Sequence, residues 1–240
     1  HLAREQASIL ALCHIRPNAE TDTSLFPKLL PWVLQLDRHT ADAFFANNEA
    51  SASAIQLIKD NPLLLNALSQ LGATWQYTHL IHGDVKWINF LAIENENGIS
   101  QRLIDWELAD IGDPMWDVAG LLQSYVATWL LGFDNNNPFS NKLPEHMKFY
   151  DLKNMQPSAQ AFIYQYIEEK TIPESDHPAF FTRLMQFTAA RILQTSIEGI
   201  TFNTKIEANN MRCIQLVFNI MENPLAALEE LFDIKLYQYV

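Results

Sequence analysis

Residues 82–89 read His-Gly-Asp-Val-Lys-Trp-Ile-Asn, and residues 104–107 read Ile-Asp-Trp-Glu. Apolar residues follow the first segment and lead into the second, and Glu-Asn-Glu-Asn-Gly at 94–98 separates the two apolar runs. Asn-Gly between such runs is the strongest short signal for a β-hairpin. The sequence therefore predicts one hairpin whose open end brings the two polar segments together.

The register of this hairpin decides which polar side chains meet. If Asn97-Gly98 is a two-residue turn, Phe90 pairs with Asp105, and Asn89 lies one step away. Mg²⁺ prefers carboxylate and amide oxygens and leaves its remaining positions to water and phosphates. Asn89 and Asp105 are therefore candidate magnesium ligands. Asp84, at the start of the loop, is a candidate base for a hydroxyl proton.

Two further motifs complete a pattern that resembles a known family. The pattern is H-G-D-x-x-x-x-N at 82–89, I-D-W-E at 104–107 and G-D-P-M-W-D-V-A at 112–119. A single Asp at a strand end is often only a turn former, but the joint spacing indicates a kinase site. Over roughly residues 79–120 the chain resembles the aminoglycoside phosphotransferase and choline kinase-like family, small-molecule relatives of protein kinases.

The resemblance implies a role for each matching residue. Asp84 is the expected catalytic base or substrate-orienting carboxylate, and Lys86 the expected catalytic-loop lysine that contacts the transferred phosphate. Asn89 and Asp105 are expected to bind Mg²⁺ and, through it, the nucleotide, ATP or GTP. The implied activity is Mg²⁺-dependent transfer of the γ-phosphoryl group to a hydroxyl of a small molecule.

Neighbouring polar residues are expected to support the site. His82 is expected to hold the loop backbone, and Asp117 to accept hydrogen bonds from the same backbone. Glu107 fits either an outer position near the metal or a solvated surface. His79, His82 and Asp84 could also suggest zinc, but alternating side chains along a strand point away from one another.

Two other function classes remain as alternatives: a non-catalytic binding or regulatory module of kinase ancestry, and a protein kinase. The retained Asp84, Asn89 and Asp105 argue against the first. Gly83, which replaces the Arg of the protein-kinase motif, argues against the second, as does the absence of an Ala-Pro-Glu segment.

Composition indicates a globular chain and limits the classes of partner that it is expected to bind. The 240 residues are 48% hydrophobic and 18% charged, with a net charge of −12. Lys and Arg clusters that bind nucleic acid or anionic membranes are absent, and a cationic acceptor would be attracted. Cys13 and Cys213 show no paired spacing, and no signal peptide or apolar run of membrane-spanning length is visible. We expect free thiols and a cytoplasmic location.

The rest of the chain predicts helices, which gives a mainly helical α+β fold like the large, C-terminal lobe of a kinase. Asp113 is expected to shape the turn before a buried central helix, and 132–157 is expected to be a long loop. The predicted helices span residues 2–14, 41–59, 62–71, 116–131, 158–170, 178–198, 207–222 and 224–232.

The predicted domain is one lobe over 1–240, with the catalytic and metal hairpin at 79–107 and the acceptor side at 116–240. The N-terminal nucleotide lobe of this family, with its phosphate-binding lysine, is not recognised in the chain. We therefore expect either a piece of a longer kinase or a natural one-lobe protein. Five aromatic residues could enclose a quaternary amine or simply form core: Trp116, Tyr125, Trp129, Tyr164 and Tyr166.

Overall fold

The computed structural model describes residues 1–18, 20–38, 48–96, 98–140, 142–200 and 205–236. The described helices are α1 (Leu2–Cys13), α2 (Glu49–Lys59), α3 (Pro62–Ala73), α4 (Met115–Leu131), α5 (Leu152–Glu169), α6 (His177–Ile200), α7 (Ala208–Glu222) and α8 (Pro224–Phe232). The described strands are β1 (His79–Ile81), β2 (Phe90–Asn95), β3 (Gly98–Leu103) and β4 (Asp110–Gly112). The predicted mainly helical α+β fold is confirmed.

The strands form two antiparallel pairs, β1 with β4 and β2 with β3. The second pair is the predicted hairpin, but its predicted register is wrong: Phe90 pairs with Leu103 instead of Asp105, and Asn95 pairs with Gly98. Gly98 has a φ of 115° and is the first residue of β3. It therefore supplies the positive φ after the tight connection, where hairpins with a glycine bulge need it. Asn97 lies outside the described residues.

The corrected register still joins the two polar segments. The backbone nitrogen of Ile104 donates to the carbonyl oxygen of Asn89 at 2.9 Å. Asn89 and Asp105 are thus neighbours at the open end of the hairpin, although neither belongs to a ladder pair.

Helix α4 is the buried central helix of the fold and packs against α6. Its sequence is mostly apolar and its buried residues lie on all sides, which is typical of a helix enclosed by others. Asp113 shapes the turn before it as predicted, because its Oδ1 accepts a hydrogen bond from the backbone nitrogen of Met115, the first residue of the helix, at 3.1 Å. One main cluster of buried apolar side chains joins α4 to α1, α5 and α6.

The prediction of a long loop over 132–157 is wrong in its second half. Residues Glu145–Tyr150 form a 3₁₀ helix, and α5 begins at Leu152, where Asp151 caps the backbone nitrogen of Lys153. Pro157 lies inside α5 and removes one backbone hydrogen bond, to the carbonyl of Lys153. Lys153 is exposed, so water can bond to that carbonyl.

The other predicted helices agree with the structure to within a few residues. For the helix predicted over 41–59, residues 41–47 lie outside the described part of the chain, and the described helix begins at Glu49.

Cys13 and Cys213 are both free thiols. Within the described ranges, the helices are too short or too polar to cross a membrane.

Candidate active site

The loop after β1 makes a sharp bend at Gly83. Its φ is 83°, and a Cβ there would lie 2.3 Å from the carbonyl oxygen of Leu108. Both the backbone angle and the space exclude a larger residue. The Gly of the His-Gly-Asp motif is therefore required by the packing of this loop against the segment that follows Asp105.

His82 is fully buried and joins the two segments of the motif. Its Nδ1 accepts a hydrogen bond from the backbone nitrogen of Asp84 at 3.2 Å, and its Nε2 lies 2.8 Å from the carbonyl oxygen of Ile104. These two partners require a neutral ring with its proton on Nε2. The edge of the ring packs on Trp106, with centroids 4.8 Å apart. These are the loop contacts that the sequence predicts for His82.

Asp117, on the first turn of α4, holds the same loop through its backbone. Its carboxylate accepts hydrogen bonds from the backbone nitrogens of His82 at 2.6 Å and Gly83 at 2.9 Å, as predicted. His14 adds a third contact, with Nε2 at 3.2 Å, and its Nδ1 lies 2.8 Å from the hydroxyl of Tyr166. Burial and the charge of Asp117 raise the pKa of Tyr166, which therefore stays a neutral hydroxyl.

Asp84 lies between two cationic side chains. The Lys86 ammonium is 2.6 Å from Oδ2, and the Arg191 guanidinium is 3.4 Å from Oδ1. The Asp84 side chain is 22% exposed, so a substrate hydroxyl can reach it. Sequence reasoning placed Lys86 beside the transferred phosphate and did not identify Arg191, which lies on α6.

Asn89 and Asp105 provide a donor set that suits Mg²⁺. The amide nitrogen of Asn89 donates to the carbonyl oxygen of Asp84 at 2.8 Å, so its amide oxygen is the atom that can bind a cation. Asp105 is exposed and adopts a left-handed conformation with a φ of 69°. Such a conformation in a non-glycine residue is a local strain of the kind found at functional sites. One amide oxygen and one carboxylate fit a magnesium ion completed by water and phosphates.

The side chains of the zinc alternative have separate partners. His79 Nδ1 contacts the hydroxyl of Thr78 at 2.9 Å, whereas His82 and Asp84 make the contacts given above. The part of the chain that the structure describes has no group of three His, Cys, Asp or Glu side chains placed to hold a metal. Burial, and then the positive charges of Arg16 and Lys170, lower the pKa of His79 to about 4.

The five aromatic residues that could form an amine-binding box or core have separate partners. Trp116 donates from Nε1 to the carbonyl of Gly83 at 3.0 Å, and Tyr164 is 50% exposed elsewhere on α5. Tyr166 packs on His14, and Trp129 on Phe133. Tyr125 packs edge-on against Trp87 of the catalytic loop, beside a cavity of about 350 Å³. Of the two alternatives, a core position is confirmed for Trp116, Tyr125 and Tyr166, which are buried.

The two remaining predicted site neighbours have clear positions. Asp113 forms an ion pair with Arg183 of α6 in addition to starting α4. Glu107 is exposed in a 3₁₀ turn, Trp106–Leu108, directly after Asp105. The structure agrees with a surface position for Glu107.

Comparison with known proteins agrees with this geometry. The sequence profile of the phosphotransferase enzyme family (APH) matches residues 2–139, which is more than half of the chain. The chain belongs to the phosphotransferase enzyme family. The resemblance inferred from the motifs is thereby confirmed, and family membership supports a kinase-type phosphotransferase function.

A solved structure shows that this member of the phosphotransferase enzyme family shares its fold with a choline kinase. The choline kinase from Cryptosporidium parvum Iowa II superposes with a TM-score of 0.52 at 17% identity. The superposition covers 98% of this chain and 70% of the choline kinase chain. No match was found among curated protein sequences.

Proposed function

We propose that the protein transfers the γ-phosphoryl group of ATP, or of GTP, to a hydroxyl of a small molecule in a Mg²⁺-dependent reaction. The observation that supports this most strongly is the position of Asp84. The Asp84 carboxylate is partly exposed and lies beside the cationic Lys86. The backbone carbonyl of Asp84 accepts a hydrogen bond from the side-chain amide of Asn89. A base, a cation and a candidate metal ligand therefore meet on one loop.

The chain's own residues would divide the work as follows. Asp84 accepts a hydrogen bond from the acceptor hydroxyl, orients its oxygen and receives its proton as the new P–O bond forms. The bond from the γ-phosphorus to the bridging oxygen breaks, and the nucleoside diphosphate leaves with that oxygen. Lys86 places a positive charge where the phosphoryl oxygens carry negative charge. Asn89 and Asp105 would hold Mg²⁺, which, when bound, offsets charge on the nucleotide phosphates. His82 and Asp117 keep the loop in this conformation.

A cationic acceptor agrees with the overall charge of the chain. The net charge of the chain is −12. On α6, Arg191 contacts the amide oxygen of Gln194 at 3.3 Å, and Gln194 donates to the carboxylate of Glu198 at 2.8 Å. This polar row runs about 10 Å along the helix, from the carboxylate of Asp84 to an exposed acidic group. The amine of a small molecule whose hydroxyl reaches Asp84 would be attracted to this acidic group.

We further propose a cytoplasmic protein that does not act on nucleic acid or membranes, in line with the acidic charge. A second function class would be indicated if the protein bound nucleotide without transferring phosphate. That result would support a kinase-derived binding module.

The test uses the natural full-length protein, ATP or GTP, Mg²⁺ and a panel of amines, sugars and aminoglycosides. Mass spectrometry should detect an acceptor that gains one phosphate. Asp84→Ala should then lower kcat by about two to four orders of magnitude, the usual contribution of a general base. Asp176→Ala, an exposed carboxylate on a 3₁₀ turn, is the control. Turnover of Asp84→Ala within about threefold of wild type would remove Asp84 from this role.

A further inference from the structure

Arg191 is a buried cation that no motif of the sequence identifies. It lies on α6, 107 residues after Asp84 in the chain, and its side chain is only 4% exposed. Burying a guanidinium costs several kcal/mol unless nearby groups compensate. Its contacts therefore show which part of the molecule uses the charge.

Those contacts converge on the loop that carries Asp84. One terminal nitrogen of Arg191 lies 3.4 Å from Asp84 Oδ1 and 3.1 Å from the carbonyl oxygen of Val85. The guanidinium also stacks on Trp116, 4.8 Å from the ring centroid, and Trp116 donates to the carbonyl of Gly83 at 3.0 Å. Arg191 and Trp116 together hold three consecutive loop residues.

The two cationic side chains beside Asp84 differ in exposure and in conformational freedom. Lys86 contacts Oδ2 through a flexible side chain that is 41% exposed, whereas Arg191 contacts Oδ1 from the interior. In the proposed function, Lys86 must also reach the transferred phosphate, and a fixed partner is then needed to keep Asp84 in place.

We propose that Arg191 is the positioning residue of Asp84: it fixes the carboxylate through Oδ1 and leaves Oδ2 and Lys86 to the reacting groups. This assignment rests on the proposed function for the part played by Lys86. A lysine could not replace it fully, because only the planar guanidinium bonds to Asp84 and Val85 while stacking on an indole ring.

The kinetic test compares Arg191→Met and Arg191→Lys in the natural full-length protein. The matched control is Arg183→Met, since Arg183 lies two turns earlier on α6, stacks on Phe187 at 4.8 Å and is also ion-paired. Arg191→Met should lower kcat about 100-fold, as expected for misplacement of a catalytic group, with KM for both substrates within about threefold. Arg191→Lys should fall between Arg191→Met and wild type, and Arg183→Met should keep kcat within about threefold of wild type.

A second readout does not depend on turnover. Amide hydrogen exchange over residues 82–88 should be faster in Arg191→Met than in wild type and Arg183→Met, at a temperature where all are folded. A wild-type kcat retained by Arg191→Met, or an equal loss in Arg183→Met, would overturn the proposal. If wild type transfers no phosphate, the proposed function fails, and the exchange rates decide whether Arg191 holds the loop. In that case, unchanged exchange in Arg191→Met would overturn the proposal that Arg191 positions Asp84. If Arg191→Met does not fold, the same comparison is made with Arg191→Lys.

Discussion

Asp117→Asn is the substitution that most directly tests how the catalytic loop is held. The carboxylate is fully buried and accepts hydrogen bonds from the backbone nitrogens of His82 and Gly83 and from His14. An amide of the same shape has only one oxygen. Whichever way it is oriented, its NH₂ group faces one of the two backbone N–H donors.

The size of the effect follows from those contacts. One charge-assisted hydrogen bond is lost, about 1.5–3 kcal/mol, and one buried donor is left without an acceptor, about 1–3 kcal/mol. We therefore expect a loss of about 2.5–6 kcal/mol. For a chain of this length, about 2–4 °C per kcal/mol gives a fall in Tm of about 5–24 °C. Asp84 follows directly, so kcat should also fall about 10- to 100-fold.

The assay is thermal unfolding followed by circular dichroism, with turnover measured below both transitions. Asp110→Asn is the matched control, because buried Asp110 also accepts hydrogen bonds from backbone nitrogens, those of Lys28 at 2.9 Å, Leu29 at 2.7 Å and Ile111 at 2.7 Å. Asp110→Asn should lower Tm but should not lower kcat as Asp117→Asn does. A Tm of Asp117→Asn within about 2 °C of wild type, or an equal loss of kcat in Asp110→Asn, would refute this account.

Three further predictions concern metal, backbone and pH. Asp105→Asn and Asn89→Ala should each raise the Mg²⁺ concentration for half-maximal activity, since each weakens an oxygen ligand; unchanged titrations in both would disprove the metal site. Gly83→Ala should lower Tm more than Gly98→Ala, because both have positive φ but only Gly83 is crowded; equal losses would contradict the close approach. The unfolded chain protonates His79 near pH 6.5, the folded protein only near its pKa of about 4, so its contribution to stability falls as pH drops from 6.5 to 4. Urea unfolding of His79→Asn should show a weaker loss over that range, and an unchanged pH dependence would argue against the lowered pKa.

The sequence alone predicted the elements that depend on local pattern. Helix α4 and the hairpin were predictable because a mostly apolar helix and an Asn-Gly turn leave signals within a few residues. The hairpin register was not predictable in the same way, because Gly98 can supply its positive φ within the turn or directly after it. That choice shifted the pairing of Phe90 from Asp105 to Leu103.

The parts of the site that escaped prediction are the ones built from distant segments. His14 meets Asp117 across 103 residues, and Arg191 meets Asp84 across 107. Arg191 did leave one signal: it is a lone charge in an apolar run and lies four residues after buried Phe187, on the same helix face. A charge on a buried helix face requires a partner, but the sequence does not say which one.

Arg191 contacts Asp84 from a distant helix, so the sequence motif alone does not make up the whole site. The conformation of the His-Gly-Asp loop depends on hydrogen bonds from α4 and α6, and on His14, which follows α1 and contacts Asp117. A substitution on those elements should therefore affect catalysis according to its distance from Asp84 in space. By this reasoning Arg191, buried and distant in sequence, should matter more for turnover than Glu107, which lies two residues from Asp105 but points into solvent.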